Sequence, residues 1–269
     1  MYFTNKQVFY VNSKLRNTGT NSQFSYYFKI DPNAEFDRVV MLQCSIPKSF
    51  YLIPTGANQF VLQEGTNSVT INFPIGNYTR ASLAAVLKAQ LTANSPNGYT
   101  YNVTYPNTLT SGDLGFFTFT VSGNGATQPS LIFTNSMFEQ LGFNSGSTNT
   151  FNTNTLSSTN VCNLSTETTL FIHSDMCQNS EGDDVLQEIY SSGDASFSYI
   201  NYRNMTPKEY SKNLSLGTSN LFNFNLTDEY GTNIDLNGVN MNFTIMIYKQ
   251  NKIDNLFKGF MKYITMKLG

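Results

Sequence analysis

Ile234-Asp235-Leu236-Asn237-Gly238-Val239-Asn240-Met241-Asn242-Phe243-Thr244-Ile245-Met246-Ile247 is the stretch that decides the fold class. Met241, Phe243, Ile245 and Ile247 occupy every second position, the period of a strand that turns one face to a core. Asn237-Gly238 is the dipeptide favoured by type I′ turns, because both central residues take φ > 0. The pattern predicts a hairpin that runs out along Ile234–Leu236 and back along Met241–Ile247. Just upstream, Phe222, Phe224 and Leu226 alternate with Asn223 and Asn225, and a turn follows around Asp228-Glu229-Tyr230-Gly231.

The same period recurs at the other end of the chain. Phe24, Tyr26, Phe28 and Ile30 alternate with Ser25, Tyr27 and Lys29, whereas Val39-Val40-Met41-Leu42 is apolar on both faces and predicts a central strand. Pro47 and Pro54 bracket the aromatic run Phe50-Tyr51-Leu52-Ile53. One internal segment breaks the pattern. Thr79 is a candidate N-cap, and Leu83, Val86, Leu87 and Leu91 form a helical stripe behind it. Strands are predicted at Tyr99–Tyr105, Phe116–Ser122 and Leu131–Phe133, then a short helical turn at Ser136–Phe143. The tract Asn144–Asn160, nearly all Asn, Ser, Thr and Gly, reads as an exposed linker. Many short strands with turn signals favour a sandwich or barrel.

Composition narrows the function classes. Only 13% of the 269 residues are charged, about half the usual share. Between Leu114 and Thr166 the sole charge is Glu139, and asparagine makes up about one residue in eight of the whole chain. A polar surface without repulsive charge suits close packing against copies or neighbours. The net charge of −2 supplies no field for gathering nucleic acid, so no specific nucleic acid is expected as a partner. Residues 1–6 run straight into a strand pattern without the look of a signal peptide, and no apolar run approaches the ~20 residues of a membrane-spanning helix. Cys44, Cys162 and Cys177 are odd in number and lack CxxC spacing, which predicts reduced thiols in a cytosolic product.

Residues of the types that carry chemistry are few. On a strand, the single histidine, His173, would share a face with Asp175 and Cys177. A Cys–His pair needs hydrogen-bond contact that strand neighbours do not provide, and zinc would want a fourth ligand. Glu181, Asp183, Asp184, Glu188 and Asp194 lack the spacing of a calcium loop. No catalytic residue, metal site or cofactor is therefore expected. In the last segment, Ile253, Leu256, Phe257, Phe260, Met261, Ile264 and Leu268 fall on one helical face. Lys252, Lys258, Lys262 and Lys267 make it basic. Such a helix lies on a membrane, docks on a partner, or packs on its own sandwich.

Four segments in fixed order carry a family resemblance. They are Phe73-Pro74-Ile75-Gly76-Asn77-Tyr78-Thr79 with the helix Leu83–Leu91, then Phe138–Phe143, then Leu170–Met176 with Gly182–Leu186, and last Phe224–Tyr248. Together they resemble the penton (vertex, minor capsid) proteins of virophages and Polinton-like double-stranded DNA viruses. The resemblance implies a mainly β protein: a jelly-roll β-sandwich with an inserted small α+β subdomain. The expected organisation is an N-terminal arm over 1–20, the jelly roll over 21–54 and 161–250, the insert over 55–148, a polar linker over 149–160 and a basic amphipathic tail over 251–269. It further implies a non-enzymatic homopentamer that closes the five-fold vertices of an icosahedral capsid. Its partners would be itself and the double-jelly-roll hexon of the major capsid protein. The tail lies outside the matched segments, and contact through it with other minor capsid proteins or an internal membrane is a separate expectation. Synthesis in the host cytoplasm and residence in the virion follow. The alternative is a surface spike whose insert binds a glycan or a host receptor.

Overall fold

In a computed structural model, residues 5–105, 114–134, 136–165, 169–178, 184–191, 195–217, 219–250 and 263–264 are described. The chain divides into two compact units, one made of 1–50 and 167–269, the other of 51–166. The first unit contains β1 (Lys6–Asn12), β2 (Thr18–Gly19), β3 (Gln23–Tyr27) and β4 (Arg38–Pro47). The second contains β5 (Gln59–Glu64), β6 (Asn67–Asn72), α1 (Arg80–Ala93), β7 (Thr100–Thr104), β8 (Thr118–Ser122), β9 (Pro129–Phe133), α2 (Phe138–Leu141), β10 (Ser147–Thr150) and β11 (Thr155–Ser157). The chain then returns to the first unit through β12 (Thr169–Ser174), β13 (Cys177–Gln178), β14 (Val185–Tyr190), β15 (Tyr199–Arg203), β16 (Lys212–Leu214), β17 (Leu221–Thr227) and β18 (Asn242–Tyr248).

The first unit is a jelly roll. One sheet runs β1-β18-β4, with β15 and β16 both pairing the far side of β4; the other runs β14-β12-β17-β3-β2. The antiparallel pairs are nested: β1 with β18, β3 with β17, β4 with β15 and β16, and β12 with β14. One long hairpin has thus been rolled over itself so that its arms alternate between two sheets. The second unit occupies the connection from β4 to β12.

Side chains from both sheets meet in the first core. Phe243, Ile245 and Ile247 of β18 point inward, as their spacing predicts, against Phe24, Phe222 and Phe224 of the other sheet. The Phe224 ring sits 5.0 Å from that of Phe243 and 5.7 Å from that of Phe24. In β4 the inward parity changes from Val39 and Met41 to Cys44 and Ile46. A register shift opposite Thr244/Ile245 causes this, since one extra residue in a strand swaps the faces beyond it.

Three sequence expectations change. The strand expected after residue 6 forms as Lys6–Asn12, but instead of standing in an arm outside the jelly roll it pairs residue for residue with β18, and Val11 is buried. The 149–160 linker instead holds the end of β10 and all of β11, with Phe151 in the second core. Asn154 takes φ 66° and holds the turn by accepting hydrogen bonds from the side-chain amides of Asn124 and Gln128. The third concerns the turn at Asn237-Gly238. Both residues do take positive φ, at 48° and 82°, but no hairpin flanks them. The Ile234 amide bonds back to the Leu226 carbonyl, and the Asn237 side chain donates to the Ser49 carbonyl at 2.6 Å. The turn is a crossover between sheets.

In the second unit, sheets β10-β9-β5-β6 and β11-β8-β7 and the helix α1 share one core. Thr79 caps α1 in a capping box with Ser82, satisfying two orphan amides. The helix buries Leu83, Ala84, Leu87 and Leu91. Inside this unit Glu64, 1% exposed, ties β5 to the turn after α1 and to β7. It accepts from the Ser95 hydroxyl at 2.7 Å, the Tyr101 hydroxyl at 2.7 Å and the Asn97 amide at 2.9 Å.

The three cysteines are free thiols. Burial pushes the Cys44 thiol up to about 12, against a weaker pull from its backbone hydrogen bond with Tyr202. Desolvation also raises Cys162, which is only half-buried, while Arg80 opposes the shift. The thiolate is the reactive form. At pH 8 a thiol reagent is therefore expected to reach Cys162 first and slowly, with Cys44 and Cys177 labelled only after denaturation. Fast labelling of Cys44 in the native protein contradicts the packing described.

Candidate assembly surface

Loops from four strand ends meet where the chain leaves the sandwich for the inserted unit. The Lys48 amide donates to the Ser198 carbonyl at 2.8 Å, and the buried Lys48 ammonium reaches the Ser191 carbonyl at 3.3 Å. The Ser49 hydroxyl donates to the Leu236 carbonyl at 2.7 Å. Ser13 is fully buried and brackets Met241 with two hydrogen bonds, its amide to the Met241 carbonyl and the Met241 amide to its hydroxyl oxygen. The exit point is thus a braced collar of irregular backbone whose polar groups are paired.

Chemistry that the sequence grouped around His173 is dispersed. The strand ends at Ser174, so Asp175 and Cys177 do not stay on the face of His173. His173 Nδ1 lies 2.7 Å from Asp184 and Nε2 lies 3.0 Å from the Thr227 hydroxyl oxygen. Asp184, as a carboxylate, accepts from Nδ1–H, which in the neutral ring leaves Nε2 to accept from the Thr227 hydroxyl; the same hydroxyl also lies 3.0 Å from the Asp228 carbonyl. Asp175 accepts from the backbone and side-chain amides of Asn223, and Cys177 is fully buried beneath the Ser174 and Asp184 carbonyls. The cluster therefore fastens β12 to β17 and to the start of β14. Among the described residues no three His, Cys, Asp or Glu side chains could hold a metal. Glu181, Asp183 and Asp194 lie outside the described residues.

What the sandwich does present is apolar surface with little charge. Along the side where β14 faces β15 and β16 runs an open groove of 690 Å³, lined by Phe171, Tyr190, Tyr202, Met205 and Tyr210. Tyr190, Met205 and Tyr210 are 68%, 81% and 57% exposed. Among the described residues its charged members are Glu188, Arg203 and Lys212. A second recess, of 650 Å³, lies across β1, β18, β4 and β15. There Tyr10 and Leu15 stand among Gln43, Ser45, Asn201, Asn242 and Thr244, with Arg203 the one charge. Exposed aromatics and methionine framed by amides and hydroxyls are the composition of a protein interface. Sequence reading missed both surfaces, because Tyr190, Met205 and Tyr210 fall on different segments and converge only in the fold.

Of the tail residues, Lys252, Ile253, Leu256, Phe257, Lys258, Phe260, Met261, Lys262, Lys267 and Leu268 lie outside the described residues. Ile264 is described; it and Tyr263 are helical, Tyr263 exposed and Ile264 half-buried.

No family model matches the chain, and no curated protein matches it. Among solved structures it is similar to the crystal structure of the selenomethionine-labelled mavirus penton protein. The two are 8% identical with a TM-score of 0.49, and the match covers 92% of this chain and 100% of that chain.

Proposed function

We propose that the chain is a non-enzymatic capsid protein, a penton that assembles as a homopentamer to close the five-fold vertices of an icosahedral shell. The observation that carries the reading is the nested jelly roll interrupted between β4 and β12, with exposed tyrosine and methionine along one side. The fold alone does not imply this role. The surface adds to it. A ring needs two different patches per copy, one on each flank, and closes when the rotation between copies closes. The groove of Tyr190, Met205 and Tyr210 and the recess around Tyr10 and Leu15 adjoin at Tyr202 and Arg203, and together they supply one of the two patches. Burying tyrosine and methionine there desolvates few charges, the condition for association without unpaired ions. The remaining rim meets the hexons of the major capsid protein, and the protein resides at virion vertices after synthesis in the host cytoplasm.

Size-exclusion chromatography with light scattering tests the reading. Five chains of 30.1 kDa give a particle of about 150 kDa. Replacing Met205 and Tyr210 together by Glu is expected to weaken the ring by more than tenfold, since each is a central apolar contact. The melting temperature of the separated chain stays unchanged. A strict monomer at every concentration that is absent from particle vertices overturns the assignment. Glycan binding by such a monomer points to an attachment module instead.

A further inference from the structure

Three Asn-Gly dipeptides occur in the chain, Asn97-Gly98, Asn124-Gly125 and Asn237-Gly238, and the fold holds them unequally. Asparagine before glycine is the pair most open to internal attack by the following backbone nitrogen, because glycine has no Cβ to stand in the way. The glycine nitrogen bonds to the asparagine Cγ, and the Cγ–Nδ2 bond breaks. Nδ2 leaves as ammonia, carrying the proton that the glycine nitrogen gives up. Water then opens the succinimide to aspartate or isoaspartate. A folded chain slows the attack in two ways, by hydrogen bonds that hold the attacking N–H and by hydrogen bonds that hold the leaving amide.

At Asn97-Gly98 both groups are held. The Gly98 amide donates to the Ser95 carbonyl at 3.3 Å. The Asn97 side chain donates to the Glu64 carbonyl at 3.1 Å and accepts from the Asn67 side chain at 2.8 Å. At Asn124-Gly125 the leaving group is held twice. The Asn124 side-chain amide donates to the Thr127 carbonyl at 2.7 Å and to Asn154 Oδ1 at 2.8 Å, and Asn124 is buried. Asn237-Gly238 differs. Both residues are exposed, in a turn closed by the Val239 amide on the Leu236 carbonyl at 3.0 Å. Among the described residues no hydrogen bond holds the Gly238 amide, and one, to the Ser49 carbonyl at 2.6 Å, holds the Asn237 side chain.

We propose that Asn237 is the residue at which the folded protein deamidates, and that the change releases the crossover turn. The hydrogen that Ser49 receives departs with the ammonia. A carboxylate takes its place against the Ser49 carbonyl, so that two acceptors face each other. The new charge also arises two residues from Asp235, whose carboxylate accepts from the Asn237 backbone amide at 2.8 Å. The isoaspartate product adds an atom to the main chain of the turn as well. None of this depends on the capsid reading.

Peptide mapping by mass spectrometry of the full chain, aged while folded at mildly alkaline pH, reads all three sites in one digest. Asn237 is expected to convert about tenfold faster than Asn97 or Asn124, the worth of roughly one held hydrogen bond in a rate. In urea, where no site is held, the three rates should converge. Equal rates in the folded protein, or faster conversion at Asn97 or Asn124, overturn the proposal. Asn237→Asp, the product made directly, should melt several degrees below Asn237→Gly, which drops the same donor without adding charge and suits the positive φ. Equal melting of the two variants overturns the release of the turn.

Discussion

Replacing Glu64 by Ala is expected to unfold the inserted unit at a temperature where the jelly roll still stands, giving two melting transitions in place of one. Glu64 is 1% exposed and accepts from Ser95 and Asn97 in the turn after α1 and from Tyr101 in β7. Alanine leaves the fully buried Tyr101 hydroxyl without an acceptor, while the half-buried Ser95 and the exposed Asn97 can turn to water. The loss should be about 1–3 kcal/mol. Glu64→Gln retains one acceptor oxygen and should lose less than half of that. Alkali probes the same contact. Burial, and then the hydrogen bond to Glu64, raises the Tyr101 phenol above its ordinary 10.0. A raised pKa in the folded state means its contribution is complete below pH 10 and declines as pH climbs further. Differential scanning calorimetry across pH 7–11 reads both effects. A single unchanged transition in Glu64→Ala refutes the assignment.

The second large effect lies in the other core. Phe243→Ala is expected to destabilise the sandwich by about 4 kcal/mol, or about 10 °C in melting temperature. The ring is 3% exposed and touches Phe24 and Phe224 from the opposite sheet, so its removal opens a cavity at the seam between the two layers. Thr244→Ala, one residue along and facing outward, is the control and should shift melting by less than a third as much. Equal effects would mean that β18 is not seated in the register described.

These contrasts mark what the sequence could and could not disclose. Phe243, Ile245 and Ile247 were legible because a half-buried strand writes its two faces in alternate letters. Val39–Leu42 was legible as central for the opposite reason, being apolar on both sides. Ser147–Thr150 and Thr155–Ser157 were not, since strands made of Ser, Thr and Asn carry no apolar period; they are held by neighbours such as β8 and β9 and by amide side chains at the Asn154 turn. The Asn237-Gly238 turn shows a third limit. Local chemistry fixes the φ angles of two residues, but which sheet receives the next strand depends on Ser49 and Leu226, distant in sequence. The groove was hidden by the same distance: Tyr190, Met205 and Tyr210 fall on separate segments and line one groove only when β14 and β15 are brought alongside.

The nesting of first strand with last has a consequence for synthesis on the ribosome. Residues 51–166 are contiguous and hold all the partners of their own core, so this unit can complete itself while the chain is still growing. The surrounding sandwich cannot. Its strand β18 separates β1 from β4 and is the last strand among the described residues. At 5–20 residues per second, β1 and β4 wait roughly ten seconds after the inserted unit has emerged. Through that interval both offer bare strand edges to other nascent chains. A translation arrest shortly before Asn242 should therefore yield a folded inserted unit on an aggregation-prone remainder, and release of the final segment is the event that closes the roll.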